Sequence, residues 1–133
     1  MNPKLKPILI EAIAKLDAQG ARSTSPSTGC AYRGQNGTCC FVGHMISDEH
    51  YDRKLEGFSF YSNAEVRGAE NVVKAVESSI GFSITKIERR LINLLQNVHD
   101  IVWNPESETF SEAIARFRKS HNEFNHLLTE AEL

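Results

Sequence analysis

Three stretches of this chain repeat apolar residues every three or four positions, and that period leaves little room for anything but packed helices. Val66, Ala69, Val73, Val76 and Ile80 form one stripe, and Ile84, Ile87, Leu91, Leu94, Leu95 and Val98 a second. The third runs through Phe110, Ala113, Ile114, Phe117, His121, Phe124 and Leu128. Such spacing places side chains on one face of a helix. A shorter stripe, Leu5, Leu9, Ala12, Ile13 and Leu16, lies between Pro3 and Gly20, so a first helix is expected over residues 3–19. Ser62 with Glu65 reads as a capping box for the second helix, and Gly81 ends it. Ser83 is placed to cap the next, and Trp103, Asn104 and Pro105 break it. The C-terminal stripe fits one long helix or two short ones.

Between the first two helices the pattern changes. Residues 20–29, GARSTSPSTG, hold almost nothing to bury and read as an exposed loop. Residues 30–33 and 38–42 are two short β-prone runs joined by GQNG, a connection suited to a hairpin. Ser47 before Asp48 and Glu49 starts one short helical turn that ends near Gly57. The expected fold is therefore α+β and mostly α-helical, with four to five helices and a short β-hairpin inserted after the first. At 133 residues the chain fits a single domain, 1–133, containing the hairpin unit 30–57.

Charge and targeting narrow the classes of function. Lys and Arg number 15 against 17 for Asp and Glu, with no long block of either sign, which argues against a duplex-DNA binder. The N-terminus has only Ile8, Leu9 and Ile10 as an unbroken apolar run, so no signal peptide is read. No segment has the apolar length of a membrane span. Three cysteines without an export signal are expected reduced in a cytoplasm, where the Asn36-Gly37-Thr38 sequon has no meaning.

Residues 30–52 hold all three cysteines and two of the five histidines. A zinc site would use Cys30, Cys39, Cys40 and His44, which are ligands of the right type. The spacing lacks a C-x2-C knuckle, and hairpin parity puts Cys39 and Cys40 on opposite faces, so one cysteine is always excluded. If a metal binds, its ligands are Cys30, Cys40 and His44; the favoured reading is no metal, with two cysteines packed inward as small apolar side chains. A cross-strand disulfide between Cys30 and Cys40 fits one register, but a reducing compartment opposes it. A catalytic thiol would pair Cys40 with His44 or His50 and with Asp48 or Asp52, yet the surrounding residues match no thiol-enzyme signature. No catalytic residue and no cofactor are assigned.

His99-Asp100 matches part of the histidine, HD, aspartate pattern of helical metal-dependent phosphohydrolases. No Asp follows Asp100, so the pair is read as a histidine near a helix C-terminus. His121 sits on an apolar stripe and reads as a core or interface residue. Lys86, Arg89 and Arg90, with Arg116, Arg118 and Lys119, read as two solvated basic faces. Arg33 beside the GQNG turn is a candidate anion site, because Gly-rich turns present backbone N–H groups. Tyr32, Phe41, Phe58, Phe60 and Tyr61 form either an aromatic wall or a satellite core beneath the hairpin.

The pattern C-x-Y-R-G-x-x-G, then C-x-V-G-x-x-I-x-D-E-x-Y-D, then E-G at Glu56 and Gly57 resembles a family of small, largely uncharacterised proteins of bacteria and their phages. The resemblance covers residues 30–57 and, more loosely, the L-L-Q-x-x-H-D run of residues 94–100. It makes Cys30 and Cys40 the family's cysteines and Cys39 an extra, and it places Ser47 where proline is expected. It also implies that the Tyr32, Arg33, Gly34 turn and the Asp48, Glu49, Tyr51, Asp52 segment form one unit. Asp48, Glu49 and Asp52 lie close enough to Arg33 for an ion pair across it. The expected function is non-catalytic binding of a host or partner protein by a small cytoplasmic protein, in the setting of a phage-encoded modulator acting in the host cytoplasm. Contact residues are then Tyr32, Arg33, Gly34, Asn36, Asp48, Glu49, Tyr51 and Asp52. A homo-oligomer is compatible with this reading, whereas membrane and nucleic-acid partners are not expected. The alternatives are a small metal- or cysteine-dependent enzyme and a sponge for nucleotide-type anionic ligands.

Overall fold

The computed structural model describes residues 1–26, 29–61 and 66–133. Six α-helices form its frame: α1 Leu5–Gln19, α2 Phe41–Met45, α3 Ala69–Ile80, α4 Lys86–Asn97, α5 Phe110–Ser120 and α6 Asn122–Glu130. None is long and apolar enough to cross a membrane. The stripes read from the sequence supply the core. Leu5, Leu9 and Leu16 of α1 are fully buried, as are Val72 and Val76 of α3, Leu91 and Leu95 of α4, Phe110 of α5 and Phe124 of α6. Gly20 and Gly81 close α1 and α3 at φ of 62° and 89°, a left-handed conformation that glycine adopts at little cost.

Several boundaries differ from the sequence reading, each for a local reason. The hairpin between residues 30–33 and 38–42 does not form. Residues 35–37 make a 3-10 turn, and the second run becomes α2, whose first turn is capped by the Cys40 thiol accepting from the Gly43 amide at 3.4 Å. The strands among the described residues are two-residue segments, β1 Thr24–Ser25 and β2 Gly29–Cys30, paired antiparallel with Thr24 opposite Cys30. The fold is thus helical with a minimal ladder rather than a helical bundle carrying a hairpin. Residues 20–26 are not simply an exposed loop either. Ser23 is fully buried, with its hydroxyl donating to the carbonyl of Ala31 at 2.7 Å.

The cap of α4 is Thr85 and not Ser83. Thr85 accepts from the Glu88 amide while Glu88 accepts from the Thr85 amide, a reciprocal box repeated by Thr109 and Glu112 at α5. Glu88 is buried, and its second oxygen accepts from the Asn2 amide at 2.6 Å, tying the N-terminus to α4. The proposed Ser62–Glu65 box lies outside the described residues; α3 starts at Ala69 after Gly68. The C-terminal stripe splits at His121, whose ring accepts from the Phe124 amide and caps α6. Ile87 is 55% exposed, so the buried face of α4 turns toward Ile92 instead.

Beyond Asn97 the helix widens into a π-type turn, Val98–Val102, before Trp103 leaves it in extended geometry. Arg22 holds that turn, its guanidinium donating to the carbonyls of Asp100 and Trp103. Trp103 is fully buried, edge-on to Phe110 at 5.2 Å, and packs on the His99 ring at 6.0 Å. Wide turns of this kind often occur where side chains must be re-aimed. Here the turn delivers His99 and Asp100 to β2.

Candidate functional site

Cys30 leaves the end of β2 at the floor of a pocket of about 550 Å³. One wall is a polar stripe on α4 and the following turn: Asn93, Gln96, Asn97 and Asp100 recur at i, i+3, i+4 and i+7. The facing wall is aromatic, with Tyr32, Phe58, Phe60 and Tyr61. Phe58 and Tyr61 stay 42% and 43% exposed, whereas Tyr32 and Phe60 are buried.

Around the Cys30 sulfur the polar groups are arranged by contacts that start far away in the chain. Gln96 is buried, with its carbonyl oxygen accepting from the Val42 amide at 2.9 Å. This fixes which way the amide points, and its NH₂ donates to Asp100 Oδ1 at 2.8 Å and to Cys30 Sγ at 3.5 Å. His99 is 1% exposed. Its Nε2 accepts from the Ser23 amide at 3.1 Å, and its Nδ1 faces Asp100 Oδ1 at 2.8 Å. Burial opposes a charged ring, but Asp100 and Cys30 outweigh it and hold the pKa above the ordinary imidazole value. In the neutral ring the Ser23 amide fixes the tautomer: a proton on Nε2 would confront the Ser23 N–H, so the proton sits on Nδ1.

The sulfur therefore has donors around it and the Asp100 carboxylate, an acceptor, beside it. A hydrogen bond from the Cys40 thiol is the largest influence on Cys30, followed by burial, which works the other way, and by a bond from His99. Together they bring its pKa down to about 7 although the Asp100 charge opposes ionisation. Cys40 is fully buried, and burial pushes its own pKa well up, so it stays a thiol and can donate. Asp100 is held below the ordinary carboxylate range, because hydrogen bonds from His99, Cys30 and Gln96 outweigh its burial.

Ligand atoms of Cys30, His99 and Asp100 lie within 4.8 Å of one another, the spacing of a metal triad. The Ser23 amide argues against such use. A metal on Nδ1 would move the ring proton to Nε2, against that N–H. His44, expected beside the cysteines, is elsewhere: its Nε2 meets Gln19 Oε1 at 3.0 Å, and burial lowers its pKa to about 4. The ligand set Cys30, Cys40, His44 is therefore not assembled.

Of the contact residues read from the sequence, Tyr32 lines this pocket, and Arg33 and Asp48 line another. Arg33 pairs with Asp48, donates to the Ile46 carbonyl at 2.7 Å and stacks over Tyr51 at 4.8 Å. The Gly34 amide bonds the Thr38 carbonyl at 2.8 Å, so that donor is used inside the GQNG turn, where Asn36 has a φ of 58°. The Arg33 Nη atoms and this amide are thus engaged internally, while Arg33 also lines a second pocket. Asp52 caps the Arg53–Leu55 turn, and Glu49 is exposed on the turn before it. Glu56 organises the unit, accepting from the Tyr32 and Arg33 amides at 3.0 Å each and from the Tyr51 hydroxyl at 2.7 Å. A second pocket of about 490 Å³ lies on this side and includes Arg33, Cys39, His44 and Asp48. Among the basic clusters, Arg90 pairs with Glu123 and Arg116 with Glu108.

The sequence reading missed the meeting of Cys30 with His99 and Asp100. The one signal it offered was the polar i, i+3, i+4, i+7 stripe from Asn93 to Asp100, opposite the apolar face of α4. No family model matches this chain, and neither a curated protein nor a solved structure does.

Proposed function

We propose that the protein is a small thiol-dependent enzyme whose nucleophile is Cys30. The observation that carries this reading is the exposed Cys30 sulfur at the floor of a pocket, ringed by the Cys40, His99 and Gln96 donors. A thiolate is the reactive form, and donors aimed at it raise its population near neutral pH. His99 acts as an orienting donor rather than as the base that removes the thiol proton, because the Ser23 amide occupies Nε2. Asp100 holds that tautomer. The ligand would bind between the aromatic wall and the α4 amides, with its electrophilic atom toward Cys30.

Alkylation by iodoacetamide, followed across pH and mapped by mass spectrometry, tests the nucleophile. Cys30 is expected to react first, with a midpoint near pH 7, while Cys40 stays unmodified in the folded protein. A stoichiometric burst of p-nitrophenol from p-nitrophenyl acetate should accompany it and vanish in Cys30→Ser. A Cys30 midpoint at the ordinary thiol value of about 8.5 would sink the reading.

The half-exposed Phe58 and Tyr61 at the pocket mouth favour a second reading, non-catalytic binding. In it the protein is a cytoplasmic modulator of a host or partner protein, phage-borne as its resemblance to small bacterial and phage proteins suggests, or it pairs with a second copy of itself. The Arg33 and Asp48 unit would shape the contact. Arg33→Ala should then weaken capture of the partner while Cys30→Ser does not; capture unaffected by Arg33→Ala would remove this alternative.

A further inference from the structure

We propose that Cys30 and Cys40 are an attacking and resolving pair, so that the pocket reduces a hydroperoxide through an intramolecular disulfide. This rests on Cys30 being the nucleophile and names its substrate class.

The two sulfurs differ in access and share a contact. Cys30 is open to the pocket, whereas Cys40 is fully buried and caps α2, so reagents in solution reach only the first. Each thiol influences the ionisation of the other, and Cys40 is the largest influence on Cys30. Gln96 clamps the same two segments independently, reaching the Val42 amide in the first turn of α2 with one end and Cys30 Sγ with the other. Cys39 lines the second pocket instead. Neither segment is rigidly embedded in a long element, since β2 has two residues and α2 five. The shift that brings the two sulfurs to the bonding distance of about 2.05 Å is therefore local to these two segments.

The chemistry balances without a metal. The Cys30 thiolate attacks the terminal oxygen of ROOH; the O–O bond breaks, giving Cys30–SOH and RO⁻, which takes a proton from solvent to leave as ROH. Sulfur is oxidised and the peroxide reduced. The Cys40 sulfur then attacks the sulfenic sulfur, its own proton joins the departing hydroxide, and water leaves as the S–S bond forms. An external dithiol closes the cycle: two of its hydrogens restore both cysteines and it departs as a disulfide. Cys40 stands at high effective concentration toward Cys30, so resolution is expected to outrun further oxidation to the sulfinic acid.

The test is to expose the reduced wild-type protein to hydrogen peroxide and, separately, to cumene hydroperoxide, then quench and map the cysteines. The expected product is a Cys30–Cys40 disulfide with the loss of two hydrogens, formed at least about tenfold faster than any oxidation of Cys39, which lines the other pocket. Peroxide consumption with dithiothreitol should be catalytic and lost in Cys30→Ser. In Cys40→Ser, dimedone should trap Cys30 as the sulfenic acid. Direct over-oxidation of wild-type Cys30, or a disulfide through Cys39, overturns the proposal. The wild-type map decides even if Cys40→Ser does not fold. Should Cys30 alkylate with a midpoint near 7 yet give no disulfide, the peroxide proposal fails and the nucleophile stands; should it alkylate as an ordinary thiol, both fail.

Discussion

Glu56 accepts from two successive backbone amides and a tyrosine hydroxyl, so one carboxylate replaces the ladder partners that residues 32–33 would have had in a hairpin. Glu56→Gln keeps the shape but turns an NH₂ donor toward those donors. A loss of about 1 kcal/mol is expected in urea unfolding, the lower end of the cost of an unsatisfied polar group because Glu56 is only half-buried. Gly34 shows a different constraint. Its φ of −101° suits any residue, but a Cβ there would strike the Ser23 hydroxyl and the Thr24 backbone. Gly34→Ala should therefore destabilise by displacing Ser23, and with it the amide that fixes His99. His44 supplies a pH signature. Its folded pKa of about 4 lies below the unfolded value of about 6.5, so the unfolded chain binds the extra proton as the medium is acidified. Stability should fall from pH 6.5 toward 4, and His44→Asn should flatten that slope in chemical denaturation.

At the scale of elements, the two capping boxes are not equivalent. Thr109→Ala removes an exposed cap and should cost about 1 kcal/mol, the usual value for such a loss. Thr85→Ala also disturbs Glu88, which secures the N-terminus through Asn2, so a larger drop in Tm is expected. The Val98–Val102 turn matters more for chemistry. Arg22 accounts for its geometry by drawing the Asp100 and Trp103 carbonyls to one guanidinium. Arg22→Ala should leave the helices intact by circular dichroism while raising the midpoint of Cys30 alkylation, because His99 loses its fixed direction. An unchanged midpoint would show that Arg22 serves only the fold.

For the whole molecule, the core and the pocket share residues. Trp103 is fully buried between His99 and Phe110, so Trp103→Ala should cost about 3–5 kcal/mol through lost burial and an unfilled cavity. Cys30 links global stability to pH with the same sign as His44, but in a higher window. Its pKa is about 7 when folded against an ordinary value of about 8.5 when unfolded. Between those values the unfolded state holds more protons, so stability rises with pH there and gains nothing from this group below pH 7. Cys30→Ser should remove that rise.

The sequence by itself determined the helices, since a period of three to four apolar residues, bounded by Gly20, Gly81 and Pro105, is a property of consecutive residues. It also determined that Arg33 can reach Asp48, because the two are close along the chain. The hairpin was the local reading that failed: a short β-prone run has no strand identity until a partner pairs it, and Phe41 and Val42 gained more by burial on a helix facing α1 and α4. Only the tertiary structure decided the site. Ser23 and His99 are 76 residues apart, and Gln96 is 66 from Cys30. Nothing periodic links them; they meet because Arg22 and Trp103 set the turn after α4 against β2. Packing between separately encoded elements brought Cys30 beside Gln96, His99 and Asp100.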